Sequence, residues 1–209
     1  MSATRENQDS SGVHSTETPS VANESPANTD VAIDHDLLKR AVRGDNKAFH
    51  ALMDRHAPRL YRLAVSLVGN STDAEDVLQE AFTGVYRGMG KFEGRSSVKT
   101  WITRIVFTQA AKFHRDRAGK SMAPLVFDHA SEDTGSSHLE AKEELDAALA
   151  KLSPEHREIL VLRELEGMSY EEMALVLGVP RGTIESRLHR ARNDLREKLL
   201  DQERSGPRK

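Results

Sequence analysis

Apolar residues recur along the chain at intervals of three and four, which is the spacing of one face of an α-helix. Over residues 34–117 this pattern predicts four helices that share a small apolar core. Asp45 is placed to cap the second of them, and Pro58 lies inside it, where a kink or break is expected. Thr72 and Glu75 have the spacing of a capping box at the start of the third helix. These features indicate one helical domain.

A second group of helices follows a stretch without periodicity. Residues 118–139 are rich in Ser, Gly and acidic residues, so we expect a flexible linker there. Beyond it, Ser153 and Pro154 predict a helix start, and Ser169 with Glu172 forms another capping box. The final helix carries one apolar series, at steps of four, three, four and four: Ile184, Leu188, Ala191, Leu195 and Leu199. These signals indicate a second helical domain.

The two ends of the chain have no such pattern. Residues 1–33 are rich in Ser, Thr, Asn, Glu and Pro, contain little to bury, and are predicted to be a disordered extension. Residues 205–209 are expected to form a disordered tail. The sequence therefore predicts an all-α protein of two small helical domains, residues 34–117 and 140–204, joined by the linker.

Composition and charge narrow the possible functions. Aromatic residues make up only 5% of the chain and long runs of Val, Ile and Thr are missing, which argues against a sheet fold. The chain has no cysteine, which excludes disulfides and thiolate metal sites. The net charge is −3, so any contact with nucleic acid must come from local basic clusters. With no apolar run of membrane-spanning length and no secretory signal, the protein is predicted to be cytoplasmic.

Sequence motifs of common enzymes are also missing. The nine histidines show no His-Glu-x-x-His pairing, and there is no glycine-rich phosphate loop or nucleophile elbow. The carboxylates of the sequence DAED, at a helix start, are best explained by capping and the helix dipole. We therefore expect no enzyme activity, no catalytic residues, no metal and no cofactor.

The sequence GVPRGTIESRLHRAR indicates a helix-turn-helix. Gly178 suits the tight turn, Pro180 suits the helix entry, and Thr183 is placed to cap the final helix. In such motifs the N-terminal part of the second helix enters the major groove of DNA. The residues predicted to face outward there and to contact bases or phosphates are Arg181, Thr183, Glu185, Ser186, Arg187, His189 and Arg190.

A second basic stripe follows the fourth helix. Trp101, Arg104, Thr108, Lys112 and Arg115 are spaced so that they share one face, and Lys99 precedes them at the end of the glycine-bounded sequence GKFEGRSSVK. Cations at this spacing can follow a phosphate backbone, and an aromatic ring can stack on an exposed base. Trp101 has two open interpretations, packing in the core or contact with DNA.

Two long segments carry a resemblance to a known family. DAEDVLQEAFTGVYRGMGKFEGRSSVKTWITRI, followed by YEEMALVLGVPRGTIESRLHRAR, resembles the extracytoplasmic-function group of bacterial sigma factors, in the group 4 class of the sigma-70 family. The resemblance implies that residues 34–117 form sigma region 2, which binds the −10 promoter element and helps to melt it. It implies that residues 140–204 form region 4, which binds the −35 element.

The resemblance also implies partners. The family binds the β′ and β subunits of bacterial core RNA polymerase, and its members are commonly held inactive by an anti-sigma factor. The third helix would dock on a basic coiled coil of β′, which suits its acidic and amide side chains: Asp73, Glu75, Asp76, Gln79 and Glu80. The loop GKFEGRSSVK lies where the family captures an unpaired promoter base, which would support melting without hydrolysis.

The chain departs from the family pattern at two places. After Trp101 the family usually has an Arg-Asn pair and then an Asp, where this chain has Phe107, Thr108 and Lys112. Glu185 stands where a basic residue is common, which indicates an unusual −35 preference.

A stand-alone helix-turn-helix regulator is the alternative interpretation. Such a regulator would bind duplex DNA without polymerase, and it would leave the acidic third helix unexplained.

Overall fold

The computed structural model describes residues 26–118, 144–145 and 147–205. Within these residues the secondary structure is helical and contains no strand. The helices are α1 (Pro26–Val42), α2 (Asn46–Val68), α3 (Ser71–Gly88), α4 (Val98–Ala118), α5 (Pro154–Leu160), α6 (Tyr170–Leu177) and α7 (Arg181–Ser205). A 3₁₀ turn (Met89–Lys91) follows α3, and a π-helical turn (Val161–Leu165) follows α5. The all-α prediction is confirmed. Ala118 and Ser205, the first residues of the predicted linker and of the predicted tail, are the last residues of α4 and α7. The rest of the linker and of the tail, and residues 1–25 of the predicted extension, lie outside the described residues.

Helix α2 forms the centre of the first domain. Asp45 caps it as predicted, accepting a hydrogen bond from the Ala48 amide at 3.1 Å. The helix continues through Pro58 instead of breaking there, because Leu52 before the proline and Leu60 after it are both fully buried in the same core. This packing offsets the cost of a mid-helix proline, about 3 kcal/mol. The apolar faces of α3 and α4 pack on α2 and complete the core.

The start of α3 differs from the prediction. Asn70, not Thr72, is the N-cap, and its side-chain oxygen accepts from the Asp73 amide at 2.8 Å. The left-handed backbone at Gly69 ends α2 just before it, so only Asn70 has the extended conformation that a capping residue needs.

Helix α1 begins earlier than the predicted boundary between residues 33 and 34. Two acidic side chains within it contact Arg55 of α2: Asp30 at 2.9 Å and Asp34 at 3.1 Å. Asp34 is also buried against His56, with 2.8 Å between the carboxylate oxygen and Nε2. These contacts hold a polar segment as a helix, which composition alone could not indicate.

The Asp34 contact predicts a pH-dependent contribution to stability. Burial raises the pKa of Asp34. The hydrogen bond with His56 and the positive charge of Arg55 act in the opposite direction and together outweigh burial, so the pKa of Asp34 falls below its ordinary value. A depressed carboxyl pKa contributes stability at pH values above the ordinary carboxyl pKa, and this is lost as the pH falls through the folded-state pKa. We expect Asp34→Asn to lower the free energy of unfolding near neutral pH by about 1–3 kcal/mol. The difference from wild type should shrink below about pH 4.

Urea unfolding of both proteins across this pH range would measure the effect. Asp36→Asn is the matched control, because Asp36 is an exposed carboxylate of the same helix, in an ion pair with Arg40. A destabilisation by Asp34→Asn that is independent of pH, or an equal loss in Asp36→Asn, would contradict the assignment.

The second domain is built from α5, α6 and α7. Ser153 caps α5 and Pro154 opens it, as predicted. Ile159, Leu162 and Met173 are fully buried against Ile184 and Leu188 of α7. Buried Arg157 donates to the carbonyls of Leu149 and Ala150, both at 3.0 Å, and so holds the preceding helical residues 147–150 against α5.

The two domains are packed together. The N-terminal half of α4 contacts α6, and buried residues of both domains belong to one continuous apolar cluster. The sequence signals indicated two separate modules but contained no information about this contact, which joins residues far apart in the chain.

Candidate nucleic-acid interface

Helices α6 and α7 form the predicted helix-turn-helix. The Ser169–Glu172 capping box opens α6, with the Glu172 amide donating to Ser169 Oγ at 3.2 Å and the Ser169 amide donating to Glu172 Oε2 at 3.0 Å. Gly178 ends α6 with φ +66°, the left-handed conformation that favours glycine. Helix α7 then begins at Arg181, so Thr183 lies in its first turn and is not its cap.

Most of the residues predicted to read DNA share the exposed side of α7. Arg181, Glu185, Ser186, His189 and Arg190 are exposed, while Thr183 is half-buried. The Arg190 guanidinium lies back on the helix and donates to the Ser186 carbonyl at 3.3 Å. The helix therefore presents mixed cationic and hydrogen-bonding groups at its N-terminal end, the part that a helix-turn-helix inserts into the major groove.

Arg187 does not share that exposed face, which corrects the prediction that it points outward. Its side chain is only 18% exposed and lies 3.7 Å from the Glu155 carboxylate of α5. Burial raises the pKa of nearby Glu158, and the positive charge of Arg187 opposes that rise. The physical reason is helical geometry. Successive residues of an α-helix are rotated by about 100° around its axis, so Arg187 lies beside the buried stripe of Ile184 and Leu188. Arg187 thus joins α7 to α5 inside the domain.

Arg181 and Glu185 restrain each other. Arg181 Nε donates to Glu185 at 3.0 Å, and its Nη1 donates to Glu171 of α6 at 2.5 Å. These carboxylates raise the pKa of Arg181. A cation shared by two carboxylates is a weaker attractor of phosphate, so Arg190 is the more available cation on this face.

The basic stripe on α4 has the predicted arrangement. Arg104, Thr108, Lys112 and Arg115 are all exposed, while Val98 and Ile102 are buried on the opposite side. Lys99 is half-buried and donates to the Glu166 carbonyl of the second domain at 3.4 Å. The stripe is therefore open along most of its length and covered at its N-terminal end.

Trp101 packs against the core, which is one of the two interpretations left open by the sequence, and it is also partly exposed. Its ring packs against Phe92, with centroids 5.1 Å apart, and lies over Gly88. It remains half-exposed, and with Phe92, Arg104 and the loop residue Arg95 it lines a groove of about 300 Å³. The indole is held in place by the core while one side faces the groove.

The acidic surface of α3 is only partly as predicted. Glu75, Asp76, Gln79 and Glu80 are exposed, and Asp76 and Glu80 line a groove with Lys112 of α4. Asp73 is half-buried instead, because it pairs with Arg117 at 2.6 Å and so ties the end of α4 to the start of α3. The negative charge of Asp73 also lies at the N-terminal end of α3, where the helix dipole favours a carboxylate.

Sequence reasoning missed two residues that join the domains. Arg59 of α2 pairs with Glu166, which follows the π-helical turn, and also donates to Thr103 Oγ1 at 3.2 Å. No local signal could have identified this pair, since its partners are 107 positions apart.

Family models match both domains: "Sigma-70 region 2" over residues 52–119 and "Sigma-70, region 4" over residues 142–195. A sigma-H factor of RNA polymerase from Pseudomonas aeruginosa is 34% identical over 180 residues, covering 79% of this chain and 93% of the relative. The chain belongs to the extracytoplasmic-function group of sigma-70 factors. It is therefore a sigma factor, which directs promoter-specific transcription by bacterial RNA polymerase.

Other relatives agree with this assignment. The sigma factor SigE of Mycolicibacterium smegmatis is 39% identical over 160 residues, covering 71% of this chain and 60% of the relative. The sigma-E factor of Escherichia coli K12 is 34% identical over 181 residues, covering 79% of this chain and 94% of the relative. Family membership favours the sigma factor over the stand-alone regulator, because both regions are present in order.

Solved structures support the fold. CnrH, in complex with the cytosolic domain of CnrY, matches 81% of this sigma factor and 97% of the solved chain, with 29% identity and a TM-score of 0.62. The sigma factor RpoE from Bartonella quintana was solved in complex with the anti-sigma factor NepR. It matches 74% of this chain and 98% of the solved chain, with 29% identity and a TM-score of 0.62.

The described residues contain neither a membrane-spanning helix nor a cluster suited to a metal ion. Among the helices that the structure describes, none is long and apolar enough to cross a membrane. In the same residues, no cluster of three or more His, Asp or Glu side chains is arranged to hold a metal ion.

Proposed function

We propose that this sigma factor contacts its promoter through two separate faces. The exposed N-terminal end of α7 reads the −35 element, with Arg190 as its main cation and Ser186 and His189 bonding to base edges. The α4 stripe follows the −10 strand through Arg104, Lys112 and Arg115, with Lys99 and Trp101 at its head. The observation that carries this proposal is that the N-terminal end of α7 and most of the α4 stripe expose basic side chains, on helices of the two family regions.

Promoter melting is assigned to the groove beside Trp101. A half-exposed indole fixed by Phe92 offers one face on which an unpaired base can stack. Thr108 and Lys112 replace the residues that are usual in the family, so the −10 sequence preference of this protein is proposed to differ from the preference that is usual in the family. No hydrolysis is involved, and the protein is proposed to act without enzyme activity.

Two partners follow from this proposal. The exposed carboxylates of α3 dock on core polymerase, where charge complementarity favours a basic surface. An anti-sigma factor is the second proposed partner, because CnrH and the Bartonella RpoE are both solved with proteins bound to them, NepR being named as an anti-sigma factor. Since core polymerase is its partner, the protein is proposed to act in the cytoplasm.

Run-off transcription tests the proposal directly. Sigma-free bacterial core polymerase is supplied with a genomic promoter library, with and without the protein. Discrete new transcripts that require the protein are expected, and alignment of their start sites would define both promoter elements. A lack of transcripts, together with tight sequence-specific binding of the protein alone to duplex DNA, would support a stand-alone regulator instead.

A further inference from the structure

The N-terminal end of α7 carries a carboxylate to which the −35 contacts proposed above give no role. Glu185 lies one turn into the helix, on the same face as Arg181 and His189, and its side chain is 51% exposed. The phosphate backbone of DNA repels a lone carboxylate. A carboxylate on the surface that enters the major groove therefore needs a compensating cation and a base edge that it can contact.

Arg181 supplies the compensating charge and sets the direction of Glu185. Its Nε donates to Glu185 Oε1 at 3.0 Å, while its Nη1 donates to Glu171 Oε1 at 2.5 Å. The guanidinium also lies 6.0 Å from the ring centroid of Tyr170, which packs against the core. Exposed ion pairs contribute little to stability, so the main consequence of these contacts is orientation. Two anchors on α6 hold the guanidinium, and the guanidinium holds the Glu185 carboxylate.

The second oxygen of Glu185 is left available to DNA. Among the described residues, the hydrogen bond to this side chain ends on Oε1, and none ends on Oε2. An ionised carboxylate only accepts hydrogen bonds, so it discriminates among base edges. In the major groove guanine and thymine present acceptors, and adenine presents the acceptor N7 beside its amino group. Cytosine presents its N4 amino group alone, so it is the base that a fixed carboxylate favours.

We propose that Glu185 selects a cytosine in the −35 element and that Arg181 is the positioning residue that directs its carboxylate toward that base. The inference rests on the proposed −35 role of α7 and adds a base identity to it. It also gives a physical reason for the departure from the family pattern at this position. A basic side chain, which is common there in the family, cannot accept a hydrogen bond from cytosine.

A switch of preference from one base to another tests the role of Glu185. Core polymerase with the full-length protein transcribes a promoter identified by run-off transcription, in which the −35 element has been randomised. In the wild type we expect cytosine to exceed each other base by at least about fivefold at one position of one strand. In Glu185→Gln the same position should favour adenine, because a glutamine amide pairs with adenine N6 and N7. Glu185→Ala should show no preference there.

Arg181→Ala separates positioning from a phosphate contact. A positioning role predicts that the preference for cytosine falls about threefold or more at that one position, because the free carboxylate must then be ordered on binding. A phosphate contact predicts instead an equal loss at every sequence and a lower salt dependence of binding. The double variant Arg181→Ala with Glu185→Ala should match Glu185→Ala at that position, since Arg181 acts there only through Glu185.

Arg192→Ala is the matched control. Arg192 is an exposed arginine about three turns after Arg181 on α7, and it also pairs with a carboxylate, that of Glu164 at 2.7 Å. Its removal should leave every base preference unchanged. Circular dichroism checks the fold of each variant, which these exposed positions should leave intact.

Two results would overturn the inference. One is the same preferred base in the wild type and in Glu185→Gln at every position of the −35 element. The other is a wild-type preference for a base other than cytosine at the position that changes. A −35 region without any base preference would be a different result, because it would contradict the proposed −35 role of α7 itself.

Discussion

A sigma factor that carries both Asp76→Lys and Glu80→Lys should lose affinity for core polymerase while keeping its fold. The two carboxylates are exposed on successive turns of α3 and line the same groove. In the proposed docking of α3 on a basic surface of β′, reversing both charges replaces attraction with repulsion, and like charges brought together at an interface cost several kcal/mol. We expect a loss of about a hundredfold or more, since each 1.4 kcal/mol is a factor of ten.

Co-purification and titration of labelled protein with sigma-free core polymerase would measure this loss. The matched control is Glu197→Lys with Asp201→Lys, which makes the same charge change at exposed positions one turn apart on α7. Circular dichroism and the unfolding midpoint should stay unchanged in both double variants. Normal association of the α3 variant, or an equal loss in the α7 control, would exclude α3 as the docking surface.

Arg190→Ala should weaken binding to the −35 element. Its guanidinium is exposed at the N-terminal end of α7 and is restrained only by the Ser186 carbonyl among the contacts described above. Removing an arginine that contacts a base edge costs about 1–3 kcal/mol, which corresponds to roughly 5-fold to 150-fold in affinity. Because a base contact carries sequence information, the variant should also discriminate less between bases at one −35 position.

Arg187→Ala gives an internal comparison. The sequence pattern placed both arginines on the DNA face. The structure assigns Arg187 to the contact with Glu155, so its removal should reduce the stability of region 4 and leave Arg157 as the remaining positive charge that lowers the pKa of Glu158.

Binding of holoenzyme to promoters identified by run-off transcription, with single-base changes in the −35 element, would separate these effects. Arg196→Ala, an exposed arginine further along α7, controls for general loss of charge. If Arg190→Ala and Arg196→Ala weakened binding equally and at every sequence, Arg190 would be a phosphate contact only or no contact.

Much of the fold could be predicted because its determinants are local. The apolar series of α7, the glycine at its turn and the capping box of α6 depend on residues within a few positions of each other, and the structure contains each of them. The same holds for the exposed stripe on α4, whose members lie one or two turns apart. Local spacing sets which face of a helix is apolar and which is left to carry charge.

Other features depended on contacts between distant parts of the chain. Helix α1 extends before residue 34 because of Arg55 and His56 on another helix, and Asn70 replaced Thr72 as a cap because of how α2 ends. Arg187 looked exposed by its charge but lies against α5.

The sequence by itself determined the all-α class, the helix-turn-helix, the two family regions and most of the charged faces. Only the tertiary structure decided that region 4 closes over the head of α4 and that Arg59 and Glu166 join the two regions. The physical reason is that helix periodicity and capping act over a few residues, whereas burial of an ion pair depends on which surfaces the folded chain brings together.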